Sequence, residues 1–167
     1  LAAGDFNGDG IDDLAIGAPY CNQGAAEAGR VEIIFGAASP STTGDRSVGG
    51  ESADDFLGWS LARARDYDGT SADDLLIGAP GADPPGRADA GKVYLVFGPL
   101  TAGTTDLSTV GITTPGRVFY GENAGDRAGE TVSWWLDQTS NDDYLIGAPG
   151  ATPLDEFDNP LPGAGVI

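Results

Sequence analysis

The sequence predicts an all-β fold assembled from repeated small sheets, and three observations predict it. Short apolar stretches end at Gly-Ala-Pro turns, as buried strands do. Gly 27 and Pro 11 in 167 residues, without long runs at helical spacing, mark a chain of turns and short strands. Finally, one stretch recurs. Leu14-Ala15-Ile16-Gly17-Ala18-Pro19 returns as Leu75-Leu76-Ile77-Gly78-Ala79-Pro80 and as Tyr144-Leu145-Ile146-Gly147-Ala148-Pro149.

Gly17, Gly78 and Gly147 stand 61 and 69 residues apart. Two further markers keep step with them. Gly29-Arg30-Val31-Glu32-Ile33-Ile34-Phe35-Gly36 matches Gly91-Lys92-Val93-Tyr94-Leu95-Val96-Phe97-Gly98, and a third copy starts at Gly163-Ala164-Gly165-Val166-Ile167. Gly50-Glu51-Ser52-Ala53-Asp54-Asp55-Phe56-Leu57-Gly58 matches Gly121-Glu122-Asn123-Ala124-Gly125-Asp126-Arg127-Ala128-Gly129.

Each unit reads as four short strands, placed in the second unit near 57–64, 74–79, 92–97 and 117–120. Four strands per repeat is the pattern of a β-propeller blade. One blade cannot cover both of its faces, so neighbours must stack. The chain is expected to be a single partial propeller domain over 1–167, with repeats at 1–49, 50–120 and 121–167. The first repeat is expected to lack its first strand, and the last to stop inside its third. The stretches 37–49 and 99–116, rich in Ser, Thr, Pro and Gly, read as loops or edge connections. Phe35 and Phe97 are expected in the core, and Trp59, Trp134 and Trp135 in core or blade-interface packing. Gly17 and Gly78 are expected to allow close backbone approach.

Before the first two apolar strands lies an acidic loop. The first is Asp5-Phe6-Asn7-Gly8-Asp9-Gly10-Ile11-Asp12-Asp13. Asp5, Asn7, Asp9 and Asp13 present oxygen side chains, Ile11 a backbone carbonyl, and the glycines a sharp turn, which is how Ca²⁺ loops are built. It is not an EF-hand, because that motif needs a Glu twelve positions on, where Ile16 stands. The second loop is Asp66-Tyr67-Asp68-Gly69-Thr70-Ser71-Ala72-Asp73-Asp74. Asp66, Asp68 and Asp74 align with Asp5, Asn7 and Asp13, Thr70 replaces Asp9, and the Ala72 carbonyl replaces that of Ile11. Hard oxygen donors on a flexible loop favour Ca²⁺ over Mg²⁺ or Zn²⁺. A third loop is two residues shorter and offers only Asp137 and Asp143. Strand alternation points Asp12 and Asp73 away from Asp13 and Asp74, as surface charge. A solvated acidic turn is the simpler reading of any single copy, because Asp-Gly and Asn-Gly pairs are ordinary turn formers; recurrence favours metal.

Asp+Glu 26 against Lys+Arg 8 gives a formal charge of -18. Such a surface repels nucleic acid and anionic membranes, which need cationic side chains to neutralise phosphate. No apolar run is long enough for a membrane span. The single cysteine, Cys21, has no partner within the chain and reads as a free thiol or one paired with another chain. His 0 leaves no imidazole base, and the best carboxylate pairs are assigned to metal, so no enzyme is expected.

Gly17-Ala18-Pro19, Gly78-Ala79-Pro80 and Gly147-Ala148-Pro149, with Leu57-Gly58-Trp59-Ser60-Leu61-Ala62 and the weaker Ala128-Gly129-Glu130-Thr131-Val132, resemble the FG-GAP repeats of the integrin α-subunit β-propeller and its bacterial relatives. The resemblance covers nearly the whole chain, with three markers in register. It implies structural Ca²⁺ ions pinning the loop between the first and second strands of each blade. It also implies an extracellular or cell-surface module that adheres to or recognises a protein or glycan ligand through its loops. Family propellers carry about seven blades, against roughly two and a half here. Either the chain is part of a longer propeller, or open blade edges self-associate into a ring or filament. Glycoside hydrolysis by a carboxylate pair is a further alternative.

Overall fold

The computed structural model describes residues 1–22, 24–40, 43–136 and 142–152. Among them are eleven strands, one 3-10 turn and no α-helix. The first sheet contains β1 (Ala2–Gly4), β2 (Asp13–Ala18), β3 (Arg30–Ile34) and β4 (Arg46–Gly49), joined antiparallel in chain order. The second contains β5 (Leu61–Ala64), β6 (Asp74–Ala79), β7 (Lys92–Val96) and β9 (Gly116–Tyr120), again antiparallel in chain order. A two-stranded sheet, β10 (Thr131–Leu136) with β11 (Asp142–Gly147), follows. The all-β expectation and the four-strand unit hold, and the sheets fit partial propeller blades.

Three details differ from the sequence reading. The first strand of the first repeat is present, since Ala2–Gly4 pairs with β2 from Ala2↔Ala15 to Gly4↔Asp13. The 99–116 connection is ordered: β8 (Gly103–Thr105) adds to the edge of β4 as a parallel fifth strand, and Asp106 caps the 3-10 turn Leu107–Thr109 by accepting from Ser108 N. The first strand of the second unit starts at Leu61, not 57, because Phe56 and Gly58 turn through φ 55 and 84. The third copy at 163–167 lies outside the described residues.

Stacking explains burial. Every residue of β6 is buried, whereas β2 alternates and exposes Leu14. Successive strand side chains face opposite ways. Leu75, Ile77, Tyr94 and Val96 therefore pack with Ala15, Val31, Ile33 and Val48 of the first sheet. Leu76, Val93 and Leu95 pack on the other face with Val132, Tyr144 and Ile146. Each fully buried Leu or Ile contributes about 1.5–3 kcal/mol relative to exposure. Phe35 and Phe97, one residue past the ends of β3 and β7, are partly buried against these two clusters.

Backbone contacts between units repeat as the sequence does. Leu57 N donates to Ala28 O at 3.0 Å, and Ala128 N to Ala90 O at 2.9 Å. Gly50 N donates to Gly29 O and Gly121 N to Gly91 O, both at 3.0 Å. Asp55 and Asp126, each 4% exposed, tie the same turn by accepting from Ser52 N at 2.8 Å and Asn123 N at 2.7 Å. The sequence reading assigned these two carboxylates no role, although the marker that holds them repeats.

Candidate metal centre

Both acidic loops connect the first strand of a sheet to its second, Asp5 to Asp13 between β1 and β2 and Asp66 to Asp74 between β5 and β6. In the first, Asp5 Oδ1 accepts from Gly8 N at 2.8 Å and Asp9 N at 3.0 Å, and Oδ2 accepts from Gly10 N at 2.8 Å. Asn7 Oδ1 accepts from Asp9 N, Asn7 Nδ2 donates to Asp9 Oδ2 at 3.0 Å, and Asp9 Oδ1 accepts from Ile11 N. Asp13 closes the loop: Oδ2 accepts from Asn7 N at 3.0 Å and Oδ1 from Gly36 N at 2.8 Å. These bonds fold the chain tightly around Asp5, and the glycines Gly8 and Gly10 take φ 78 and 87 to permit it.

The second loop repeats the plan. Asp66 accepts from Thr70 N at 2.7 Å and Ser71 N at 2.8 Å, and Asp68 from Thr70 N at 3.2 Å. Asp74 accepts from Tyr67 N and Gly98 N, both at 2.9 Å. Thr70 turns its hydroxyl to donate to Gly98 O at 3.3 Å. Ala72 is buried, with Gly98 packed on its Cβ, while Ile11 is exposed.

The donor set fits a hard divalent cation. It is all oxygen, and none of the four ion pairs among the described residues involves Asp5, Asp9, Asp13, Asp66, Asp68 or Asp74. Asp13 is 2% exposed and Asp74 0%. Burial pushes the Asp13 carboxyl above its ordinary range. Burial pushes Asp74 up to about 7, an effect that the Gly98 and Tyr67 N–H groups only partly offset and to which repulsion from Asp68 and Asp66 adds. Acidic side chains are thus gathered here with no ion-pair partner among the described residues. No three acidic side chains among the described residues converge into a finished cage. A cation would have to draw the exposed Asp9 and Asp68 inward.

The third loop departs from this plan. Asp143 keeps the register of Asp74, pairing with Trp135 as Asp74 pairs with Ala64, but it is exposed. Asp137 lies outside the described residues.

Two sequence-based expectations need correction. Asp73 is not surface charge: it is 7% exposed, paired with Arg63 at 2.9 Å, and bonded to the first loop. Alternation does turn it away from Asp74, but that side faces the neighbouring sheet instead of water. Asp12 is exposed, as expected. Of the core-or-interface placement expected for the tryptophans, the core half fails: Trp59 and Trp135 are 38% and 62% exposed and Trp134 is only partly buried, while Trp59 does pack across the boundary between the first two units. Trp59 meets Tyr20 and Phe56 edge-on, with ring centroids 5.9 and 6.1 Å away, in a surface trio on the loops between the first two sheets. The equivalent positions at the next junction are Gly81, Arg127 and Glu130, the last two an ion pair at 2.8 Å. The fold therefore does not require the trio.

Comparison with known proteins agrees with this architecture. Residues 1–33 and 57–96 match the model of the FG-GAP repeat. Integrin alpha-PS2 of Drosophila melanogaster is 31% identical over 174 residues, which covers 100% of this chain and 11% of that protein. Integrin alpha-7 of Homo sapiens is 30% identical over 161 residues, covering 92% of this chain and 12% of that protein. Phosphatidylinositol-glycan-specific phospholipase D of Mus musculus is 38% identical over 100 residues, covering 58% and 12%. The chain thus spans about a tenth of the length of these curated relatives. Among the described residues no helix is long and apolar enough to cross a membrane. Repeated sheets, repeated junctions and these matches together make the chain a β-propeller-like domain of FG-GAP repeats, similar to that of the integrin α chains.

Proposed function

We propose that this chain is a calcium-stabilised recognition module of the cell exterior, presenting blade loops to a protein or glycan ligand. One observation carries the calcium reading: two loops of the same all-oxygen design, each at the same place in its sheet, gather carboxylates that have no ion-pair partner among the described residues. In this reading Asp5, Asn7, Asp9 and Asp13, with the Ile11 carbonyl, hold one ion. Asp66, Asp68, Thr70 and Asp74, with the Ala72 carbonyl, hold the other. A bound Ca²⁺ supplies the positive charge that lets the acids share one loop, and catalysis has no part in it. Adhesion and an external location are supported by the similarity to integrin α chains. The exposed Tyr20 and Trp59, with the partly buried Phe56 beneath them, offer the recognition surface, since aromatic side chains with a free face dominate contact energies.

Calorimetric titration with calcium tests the reading. Two ions should bind per chain, and Asp68→Ala should abolish or weaken one of them at least ~10-fold, each 1.4 kcal/mol of lost ligation being tenfold. No saturable binding would contradict it.

Proton competition gives a second expected result. Asp74 holds its proton more tightly in the folded chain, where its carboxyl titrates at about 7, than in the unfolded one. Its contribution to calcium-free stability is therefore full below the ordinary carboxylate range and is lost as pH rises through about 7. The urea midpoint of calcium-free protein should fall between pH 5 and pH 8. Saturating calcium should reverse the trend, because the ion binds only the deprotonated acids.

A further inference from the structure

The two acidic loops are 61 residues apart in sequence, Asp5 against Asp66, yet they share a seam. Asp73 forms it. Its N–H donates to the Asp5 carbonyl at 2.8 Å, and its Oδ2 accepts the Asp5 N–H at 2.8 Å, so two bonds close a ring between one residue of each loop. Arg63 Nη2 holds the remaining oxygen, Oδ1, at 2.9 Å. Asp73 is thereby neutralised and committed, and is not a metal donor. Its chain neighbour is Asp74, the buried carboxylate of the second loop, and its partner Asp5 is the residue around which the first loop winds.

Other contacts reinforce the seam. Phe6, next to Asp5, is fully buried, and its carbonyl accepts from Leu100 N at 2.7 Å. Two residues before Leu100, Gly98 donates its N–H to Asp74 Oδ1. A Cβ on Gly98 would lie 2.7 Å from the Asp73 carbonyl and 3.2 Å from the Phe6 carbonyl. Gly4 presses on the latch itself, since a Cβ there would sit 2.8 Å from Asp73 Oδ2.

We propose that Asp73 couples the two loops, so that a cation in one raises the affinity of the other. The proposal rests on the calcium reading above. An ion in the first loop fixes Asp5, whose N–H and carbonyl then fix Asp73 and, through the chain, Asp74. The second loop is ordered before its own ion arrives, so that ion meets a smaller ordering cost. The effect is reciprocal, because a coupling free energy belongs to the pair of sites. Asp73 is a positioning residue that touches neither ion.

Calcium titration of the whole chain tests this with a loop-one lesion and a seam lesion. Asp9→Ala weakens the first loop without touching the Asp5–Asp73 ring. In that variant the second loop should bind calcium at least ~5-fold more weakly than in the unaltered chain, the low end of typical coupling. With Asp73→Ala, or with Gly4→Ala if the former fails to fold, both loops should still bind calcium. The second should now be indifferent to Asp9→Ala. Second-loop affinity unchanged by Asp9→Ala in the unaltered background would overturn the coupling. A dependence that persists in both seam variants would remove Asp73 from it. Absence of calcium binding in the unaltered chain would instead sink the calcium reading, and the coupling with it.

Discussion

Adding EDTA should lower the melting temperature of the calcium-loaded chain by ~10–20 °C. An ion at a hundred times its dissociation constant contributes ~2.7 kcal/mol to the folded state, so two contribute ~5 kcal/mol. A domain of this size shifts by ~2–4 °C per kcal/mol. The loops sit where the seam between the first two sheets is made, so their loosening reaches the core. Asp5 leads directly into the fully buried Phe6, and Asp74 opens the fully buried β6. Loss of the ions leaves buried carboxylates facing their acidic neighbours, which favours the extended chain. Scanning calorimetry with and without chelator reads the shift. Coincident transitions would mean that the acids need no metal.

Gly78→Ala should be strongly damaging for a single added methyl, costing ~3 kcal/mol or more and ~6–12 °C in melting temperature. A Cβ on Gly78 would lie 2.2 Å from the Gly129 carbonyl oxygen and 2.3 Å from Ser60 Oγ. The serine could turn aside, although it donates to that same Gly129 carbonyl at 2.7 Å. The backbone carbonyl could not. It belongs to the entry of the next unit, so the methyl would wedge β6 away from the following sheet. Gly17 repeats the arrangement one unit earlier, where a Cβ would meet the Gly58 carbonyl at 2.1 Å. Gly49→Ala is the matched control: no heavy atom lies within 4 Å of its Cβ position, so its effect should stay within about 0.5 kcal/mol. Equal melting temperatures for the two variants would refute the close-approach account of the Gly-Ala-Pro marker.

Much of this was legible in the residues because the repeat is visible three ways at once. The spacing of Gly17, Gly78 and Gly147 placed β2, β6 and β11, and the acidic loops fell between first and second strands as expected. What stayed hidden depends on neighbouring sheets. Asp73 follows the same alternation as a surface residue, and only the stacked first sheet turns it into a latch. Gly103–Thr105 has no apolar alternation to mark a strand. It pairs because the edge of β4 lies open beside it. Residue type leaves Trp59 open between core and blade-interface packing, and the turn at Phe56 and Gly58 decides it by carrying the ring to the surface beside Tyr20. The Asp55 and Asp126 turns were marked by their repetition, but an acid buried to tie a turn resembles an acid held for metal until its partners are known.

The most direct measurement is anomalous diffraction from crystals grown in calcium. The account predicts one strong peak in each of the first two acidic loops, with oxygens of Asp5, Asp9 and Asp13, and of Asp66, Asp68 and Asp74, at about 2.3–2.6 Å. Crystals that show no anomalous signal at either loop, with Asp9 and Asp68 turned out to water, would contradict it.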